Sequence, residues 1–309
     1  MRSKSCDALI VRLIWSCACL FLLALPARAQ SNLKGAIDFH VHSNPDSAPR
    51  VIDADDLARH AKDMGMRGLV LKNHWESTAA LAYMVRKMVP GIEIFGGITS
   101  DRAEGGINLD AVKRMALMKG GWGRVVWLPT LDSEAQVIYD KSNLPFVPVS
   151  KDGKLLPETI ELIDFIAQNH QLVLETGHVS AQEVLLVVHE AHKRGVTHIV
   201  VTHAMRPPVS MNIPQMQEAA RDGAFLEFVY GSAFGNPPLV PMAKYVEAIQ
   251  QVGAKSCIIS TDFGGAVPGR PPHPEGLLEF MNILVKAGIP QADVDMMAKT
   301  NPALALGLQ

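Results

Sequence analysis

From Gly35 onward the chain alternates short β-rich runs with segments of helical period, and it completes this alternation eight times. The runs cover residues 36–39, 68–71, 92–98, 124–128, 172–175, 198–201, 224–229 and 256–260. Helical periods lie between them at 54–64, 77–88, 109–119, 157–169, 181–194, 214–222 and 240–252, and two more follow at 275–287 and 291–299. Strands separated by helix-length connections pair in parallel, because a tight turn cannot return a chain in the same direction. Helix start and stop signals support the pattern: Pro157 and Ser180 stand at helix entrances, and Gly65, Gly195 and Gly253 just past helix ends. Eight strand and helix pairs suit a single α/β domain, the (β/α)8 TIM barrel of roughly 250 residues. The competing fold is an open doubly wound sheet, but no Gly-x-Gly-x-x-Gly phosphate loop follows the first strand. The stretch 129–156 reads as a long irregular connection that either shapes substrate binding or packs as a surface excursion.

Residues 1–29 read as a signal peptide. Arg2 and Lys4 give a basic start, 13–25 an apolar run, Pro26 a break, and Ala27-Arg28-Ala29 the small residues of a cleavage site. The apolar run is shorter than the roughly 20 residues that span a bilayer. The expected layout is therefore a signal peptide at 1–29 and one barrel at 30–309, periplasmic or secreted, with no stable membrane insertion after cleavage. The mature chain holds 25 basic and 30 acidic residues, a formal charge of −5, which argues against nucleic acid and leaves a small-molecule substrate as the expected partner. Homo-oligomerisation stays open. Cys6, Cys17 and Cys19 leave with the signal segment, so Cys257 remains alone and the mature chain forms no internal disulfide.

The chemistry concentrates at strand ends. Asp38-Phe39-His40-Val41-His42 closes the first strand, and simple alternation puts Asp38, His40 and His42 on one face, where two imidazoles reach one metal ion. His178 follows the fifth strand, His203 ends the sixth and Asp262 ends the eighth. In a barrel these ends meet on one rim, which is where active sites of this fold lie. Lys72 and His74 follow the second strand on a shared face. Glu175 falls on the opposite face from His178 unless Gly177 introduces a bulge. His74, Arg206 and Trp127 are candidate substrate contacts, with loop capping, solvation and packing as their respective plain alternatives. His60, His170, His189, His192 and His198 read as surface or structural residues.

At these residues the chain resembles the amidohydrolase superfamily, whose pattern is His-x-His on the first strand, one histidine on each of the fifth and sixth, and an aspartate on the eighth. The ending Asn301-Pro302-Ala303 to Gly307-Leu308 is similar to that of many members. Within the superfamily the chain looks nearest to an amidohydrolase-like group of unknown function. The resemblance implies a divalent metal centre, zinc above all, holding one or two ions through His40, His42, His178, His203 and Asp262. It also implies a carboxylated lysine or a glutamate on the fourth strand of two-metal members, and here Arg124-Val125-Val126-Trp127-Leu128-Pro129-Thr130 offers neither. Lys72, as an ammonium or a carboxylated bridge, and Glu175 are the substitutes in view. The implied activity is hydrolysis of an amide, cyclic amide, lactone or related ester by metal-activated water, with Asp262 and His203 as the catalytic side chains. The alternatives are a metal-dependent decarboxylase on the same scaffold and a secreted metal- or solute-binding protein without turnover.

Overall fold

The computed structural model describes residues 31–308, and the signal segment read at 1–29 lies outside them. All eight expected strands form: β1 (Ile37–Val41), β2 (Gly68–Leu71), β3 (Glu93–Thr99), β4 (Gly123–Trp127), β5 (Val173–Glu175), β6 (Ile199–Val201), β7 (Phe225–Val229) and β8 (Cys257–Ser260). Each pairs in parallel with the next in sequence. The two end strands meet just past β8, where Val41 bridges Phe263 in parallel. There the His42 N–H donates to the Phe263 carbonyl and the Asp262 N–H to the His40 carbonyl, both at 2.9 Å. The sheet thus closes into an eight-stranded barrel with helices in its crossovers. Among the described residues no helix is long and apolar enough to cross a membrane.

Local signals set the helix boundaries. Ser180 and Glu183 form a reciprocal capping box at Ala181–Lys193: the Ser180 hydroxyl accepts the Glu183 N–H, and the Glu183 carboxylate accepts the Ser180 N–H. Pro157 occupies the first turn of Pro157–Gln168, where no intrahelical N–H is needed. The stretch 129–156 corrects the expectation of an irregular loop. It contains a helix at Glu134–Tyr139, capped by Ser133, and a hairpin pairing Ser150–Lys151 with Lys154–Leu155. The hairpin turns through Asp152 and Gly153, both at positive φ, the chemistry that an Asp-Gly pair favours. The last expected helix is also divided, into Gln291–Asp295, a π turn at Met296–Thr300 and Asn301–Ala305.

Two apolar layers result from strand alternation. Leu174, Val201, Leu226 and Ile259 face outward to the helices, whereas Val70, Val125, Val173, Val200 and Ile258 fill the barrel with Ile37, Phe39 and Phe95. Leu306 and its neighbours pack against this inner cluster. One inward step further along the strands the lining becomes polar: Lys72, Glu175, Thr202 and Ser260 are all buried. That change of polarity sets the floor of the site.

Candidate metal centre

Each expected ligand sits at a break in strand alternation. On β1, Ile37 and Phe39 belong to the inner layer but Val41 to the outer one, and the register against β2 shifts between Asp38 and Val41. This bulge brings His40 and His42 to the rim together. Asp38 is therefore not their partner on one face, as alternation had suggested. Its carboxylate accepts the Thr261 N–H at 2.9 Å and the Thr261 hydroxyl at 2.6 Å, fastening β1 to the end of β8. Burial pushes the Asp38 carboxyl up to about 7 against those hydrogen bonds.

After β5 the break is Gly177, at φ +62°, where an added Cβ would stand 2.3 Å from the Leu128 carbonyl oxygen. Only glycine fits. His203 and Asp262 make the same excursion without glycine, at φ 28° and 52°. Backbone strain of this kind costs of order 1–3 kcal/mol per residue and concentrates at functional sites.

The five side chains His40, His42, His74, His178 and His203 form a closed ring of imidazoles. Successive centroids lie 5.2, 5.1, 5.8, 4.7 and 6.0 Å apart, the last step returning from His203 to His40. Asp262 joins this ring between the two β1 histidines. Its Oδ1 is 3.3 Å from His40 Nε2 and 3.2 Å from His42 Nε2, and the three ligand atoms lie within 4.8 Å of one another.

Surrounding acceptors fix how the imidazoles present themselves. His40 Nδ1 is 3.2 Å from the Glu227 carboxylate and His42 Nδ1 2.7 Å from the Lys72 carbonyl. His178 Nδ1 is 2.9 Å from Gln136 Oε1, and the Gln136 amide is oriented because its nitrogen donates to Asp140 at 2.8 Å. Each acceptor takes an Nδ1–H, so each Nε2 keeps its lone pair, the arrangement found around metal-binding histidines. Burial lowers His42 to about 3 and holds His178 and His203 well below the ordinary histidine value, which keeps these rings neutral. His203 is 1% exposed, yet neither of its ring nitrogens has a hydrogen-bond partner. Burial alone would raise Asp262, but its neighbours His40, His42 and Arg206 outweigh it and hold the carboxyl well below its ordinary range. Neutral imidazole lone pairs, orphaned buried nitrogens and an ionised carboxylate fit a divalent cation.

Lys72 lies beneath the ring. It is 1% exposed, its Nζ is 3.2 Å from His40 Nε2 and 5.7 Å from the Trp127 ring centre. Burial lowers its pKa, and the carboxylates of Asp262, Glu175 and Glu227 act against that. Glu175 faces inward with Val173 because alternation runs unbroken until Gly177, and Thr202 donates to it at 2.7 Å. Trp127, offered as a substrate contact or as packing, is buried in the inner layer beside Lys72. Arg206 sits partly exposed three residues past His203, and its charge acts on His178, His203 and Asp262. No carboxylate among the described residues forms an ion pair with it.

Sequence reasoning missed two residues that organise this centre. Glu227 Oε2 accepts both from His40 Nδ1 and, at 3.0 Å, from the His203 N–H, and so links the two halves of the ring. Its signal was present as a lone acid inside Phe225-Leu226-Glu227-Phe228-Val229. Gln136 lies in the stretch read as irregular and carried no signal.

Solved structures with this fold include an organophosphorus hydrolase from Deinococcus radiodurans, with a TM-score of 0.61 at 16% identity over 88% of this chain and 92% of that one. A structure described as engineered for organophosphate hydrolysis from a weak promiscuous lactonase template gives 0.60 at 16% identity, over 88% and 96%. An amidohydrolase from Pseudomonas aeruginosa gives 0.57 at 14% identity, over 88% and 95%. At the level of fold, the resemblance read from the sequence holds. No curated protein matches the sequence. A family profile, described as a family of unknown function (DUF6282), matches residues 35–227, from just before β1 to Glu227. That match spans more than half of the chain and includes all five histidines of the ring, so the protein belongs to the DUF6282 family.

Proposed function

We propose that this protein is a metal-dependent hydrolase acting on a small amide, cyclic amide, lactone or related ester. The observation that carries the reading is geometric: the ligand atoms of His40, His42 and Asp262 lie within 4.8 Å of one another, on a closed ring of five imidazoles contributed by four strand ends. Imidazole and carboxylate donors suit zinc. A divalent ion held there would polarise a scissile carbonyl and make water acidic near neutral pH. Asp262, kept ionised, takes the proton of the attacking water. His203, with both ring nitrogens free, is placed to orient the substrate, and the unpaired Arg206 to attract an anionic group on it.

A cleft of about 630 Å³ has Phe263, Gly264 and Gly265, next in the chain after Asp262, in its wall, although neither Asp262 nor any histidine of the ring lines it. Val51, Ile52 and Val267 give it an apolar lining. The names of the structural neighbours, an organophosphorus hydrolase and a lactonase template, support including phosphoesters and lactones among the substrates tried.

The protein acts after export, with Ala29 the last residue removed, so amino-terminal sequencing of exported material should begin at Gln30. The test of the activity is metal content per chain, followed by a screen of amides, lactones and phosphoesters. One or two divalent ions and turnover that disappears on chelation and returns with zinc are expected. A chain that binds no divalent ion ends the reading, and release of CO2 in place of a hydrolysis product replaces it with decarboxylation.

A further inference from the structure

The segment between Asp262 and the helix His273–Lys286 supplies most of the wall of the cleft described above. That wall is apolar and short of donors. Pro268, Pro271 and Pro272 have no N–H, and Val51 and Val267 stand 58% and 39% exposed along it. One charge is set into it, that of Arg270. The other ionisable side chain in the wall is His273, which burial lowers to about 4 and so keeps neutral.

Arg270 is half-buried and nothing in contact with it neutralises it. Its Cζ lies 4.6 Å from the centre of the Phe263 ring and 5.7 Å from that of Phe234. Its Nε is buried without a hydrogen-bond partner, and its Nη1 reaches the Gly265 carbonyl at a long 3.4 Å. Among the described residues no carboxylate forms an ion pair with it. Arg50, next to Val51 in the chain, is by contrast paired with Asp46 at 2.6 Å. The charge of Asp262 acts on Arg270 from beyond ion-pair distance, which sets the guanidinium near the metal centre without tying it there.

A guanidinium lying against aromatic rings keeps the N–H groups around its edge, and a carboxylate accepts two of these side by side. Apolar walls strengthen that pairing by excluding water. The prolines on both sides of Arg270 fix φ, so the wall is set before a ligand arrives. The cleft also adjoins the centre through shared backbone: an added Cβ at Gly264 would stand 2.3 Å from His42 Cβ, and His273 hydrogen-bonds to the main chain of Phe263 and His42. We propose that the cleft binds the acid arm of the substrate, an apolar group ending in a carboxylate that Arg270 holds while the scissile bond lies at the centre of His40, His42 and Asp262. Arg270 is then a specificity-determining residue, and neutral molecules of the same shape are disfavoured. That the ligand is a substrate rests on the hydrolase reading above, whereas capture of an acid by Arg270 requires no metal.

The test is calorimetric titration of the full mature protein, stripped of metal so that no carboxylate can coordinate an ion, with phenylacetate and with its uncharged counterpart phenylacetamide. The wild type should bind the acid about 10–100-fold more tightly than the amide, the range for a hydrogen bond to a charged group. Arg270→Met should abolish the preference. Val267→Glu, which adds a like charge at the exposed rim, should weaken the acid and leave the amide unchanged. If Arg270→Met fails to fold, the wild-type ratio and Val267→Glu read the same property.

Equal affinity for acid and amide, no binding of either, or a preference that survives Arg270→Met and disappears in Arg206→Gln overturns the assignment and leaves the hydrolase reading standing. With metal restored, phenylacetate should compete with whichever substrate the screen yields, and compete less well in Arg270→Met. Binding of the acid without competition separates the cleft from the reacting centre and overturns the proposal. A protein that binds the acid through Arg270 but turns nothing over removes the hydrolase reading alone and leaves the cleft as an acid-binding site.

Discussion

The two halves of the imidazole ring are built differently. On the side of β1 and β8, a carboxylate stands between two histidines, and three ligand atoms lie within 4.8 Å of one another before anything is bound. On the side of β5 and β6, His178 and His203 approach more closely as rings, at 4.7 Å, but His203 has no hydrogen-bond partner for either nitrogen. The first half is preassembled around its own negative charge. The second consists of neutral rings with no carboxylate in ion-pair contact with either among the described residues. Burial keeps His42 uncharged as well as His178 and His203, so what distinguishes the first half is the carboxylate of Asp262 between its rings, held well below its ordinary range.

The sharpest way to break this comparison is to remove the charge on one side. Asp262→Asn keeps the shape of the side chain and loses most of its basicity. Metal content should persist in part while kcat falls by roughly 10²–10⁴, the range for loss of a general base. His40→Ala should lose metal and activity together, because it deletes a ligand from the preassembled half. Near-normal kcat with full metal content in Asp262→Asn would transfer the base role to the other half of the ring, to His203.

Glu227 joins the halves, so replacing it should affect both. Glu227→Leu leaves His40 Nδ1 and the His203 N–H without their acceptor, and metal affinity should fall by about 10–100-fold. Glu227→Gln retains an acceptor and should restore most of it. Metal affinity in Glu227→Leu equal to the wild type would mean that the halves are held independently.

Much of this was legible in the sequence, for identifiable reasons. The eight strands appear in register with their expected positions because burial on both faces forces short apolar runs, and the helices between them carry their own caps. His40, His42, His178, His203 and Asp262 were found because ligand chemistry at strand ends recurs in order along the chain. What alternation could not give is the backbone break beside each ligand. The bulge in β1 placed Asp38 on Thr261 instead of beside the histidines, and an unbroken β5 turned Glu175 inward. Glu227 and Gln136 act through hydrogen bonds to residues of other elements, and even the lone acid visible in the apolar run of β7 does not reveal its partners.

Those breaks can themselves be tested by comparing two glycines near the rim. Gly177→Ala places a methyl group against the Leu128 and Pro129 carbonyl oxygens at a positive φ and should destabilise the fold by more than about 1 kcal/mol. At Gly265 an added Cβ meets nothing within 4 Å, and alanine there should stay within about 0.5 kcal/mol of the wild type. Urea unfolding of the metal-free variants measures both. Equal stability of the two would remove the argument that the turn to His178 depends on glycine.

The smallest expected effect is a graded loss of stability in acid, measured as Tm of the metal-free protein between pH 7 and pH 4. Burial lowers His42 to about 3 and His273 to about 4 from an ordinary 6.5, and places His74, His178 and His203 well below it. A histidine depressed in this way takes its proton more readily in the unfolded chain. Its contribution is therefore complete above about pH 6.5 and is lost as pH falls toward the folded value. Asp38 has the opposite sign: raised from 3.8 to about 7, it favours the folded state most below 3.8 and progressively less as pH rises to 7. Six depressed histidines, His198 included, oppose the four raised carboxyls of Asp38, Asp101, Glu104 and Glu175, so Tm should fall as pH drops from 6.5 toward 4. Imidazole NMR across the same range can tell the halves apart, because Asp262 lies 3.2 Å from His42 Nε2, favours a proton on His203 only through its charge at longer range, and is not among the groups that shift His178. His178 and His203 should stay unprotonated throughout this range, and protonation of either ahead of His42 would reverse the proposed difference between the two halves.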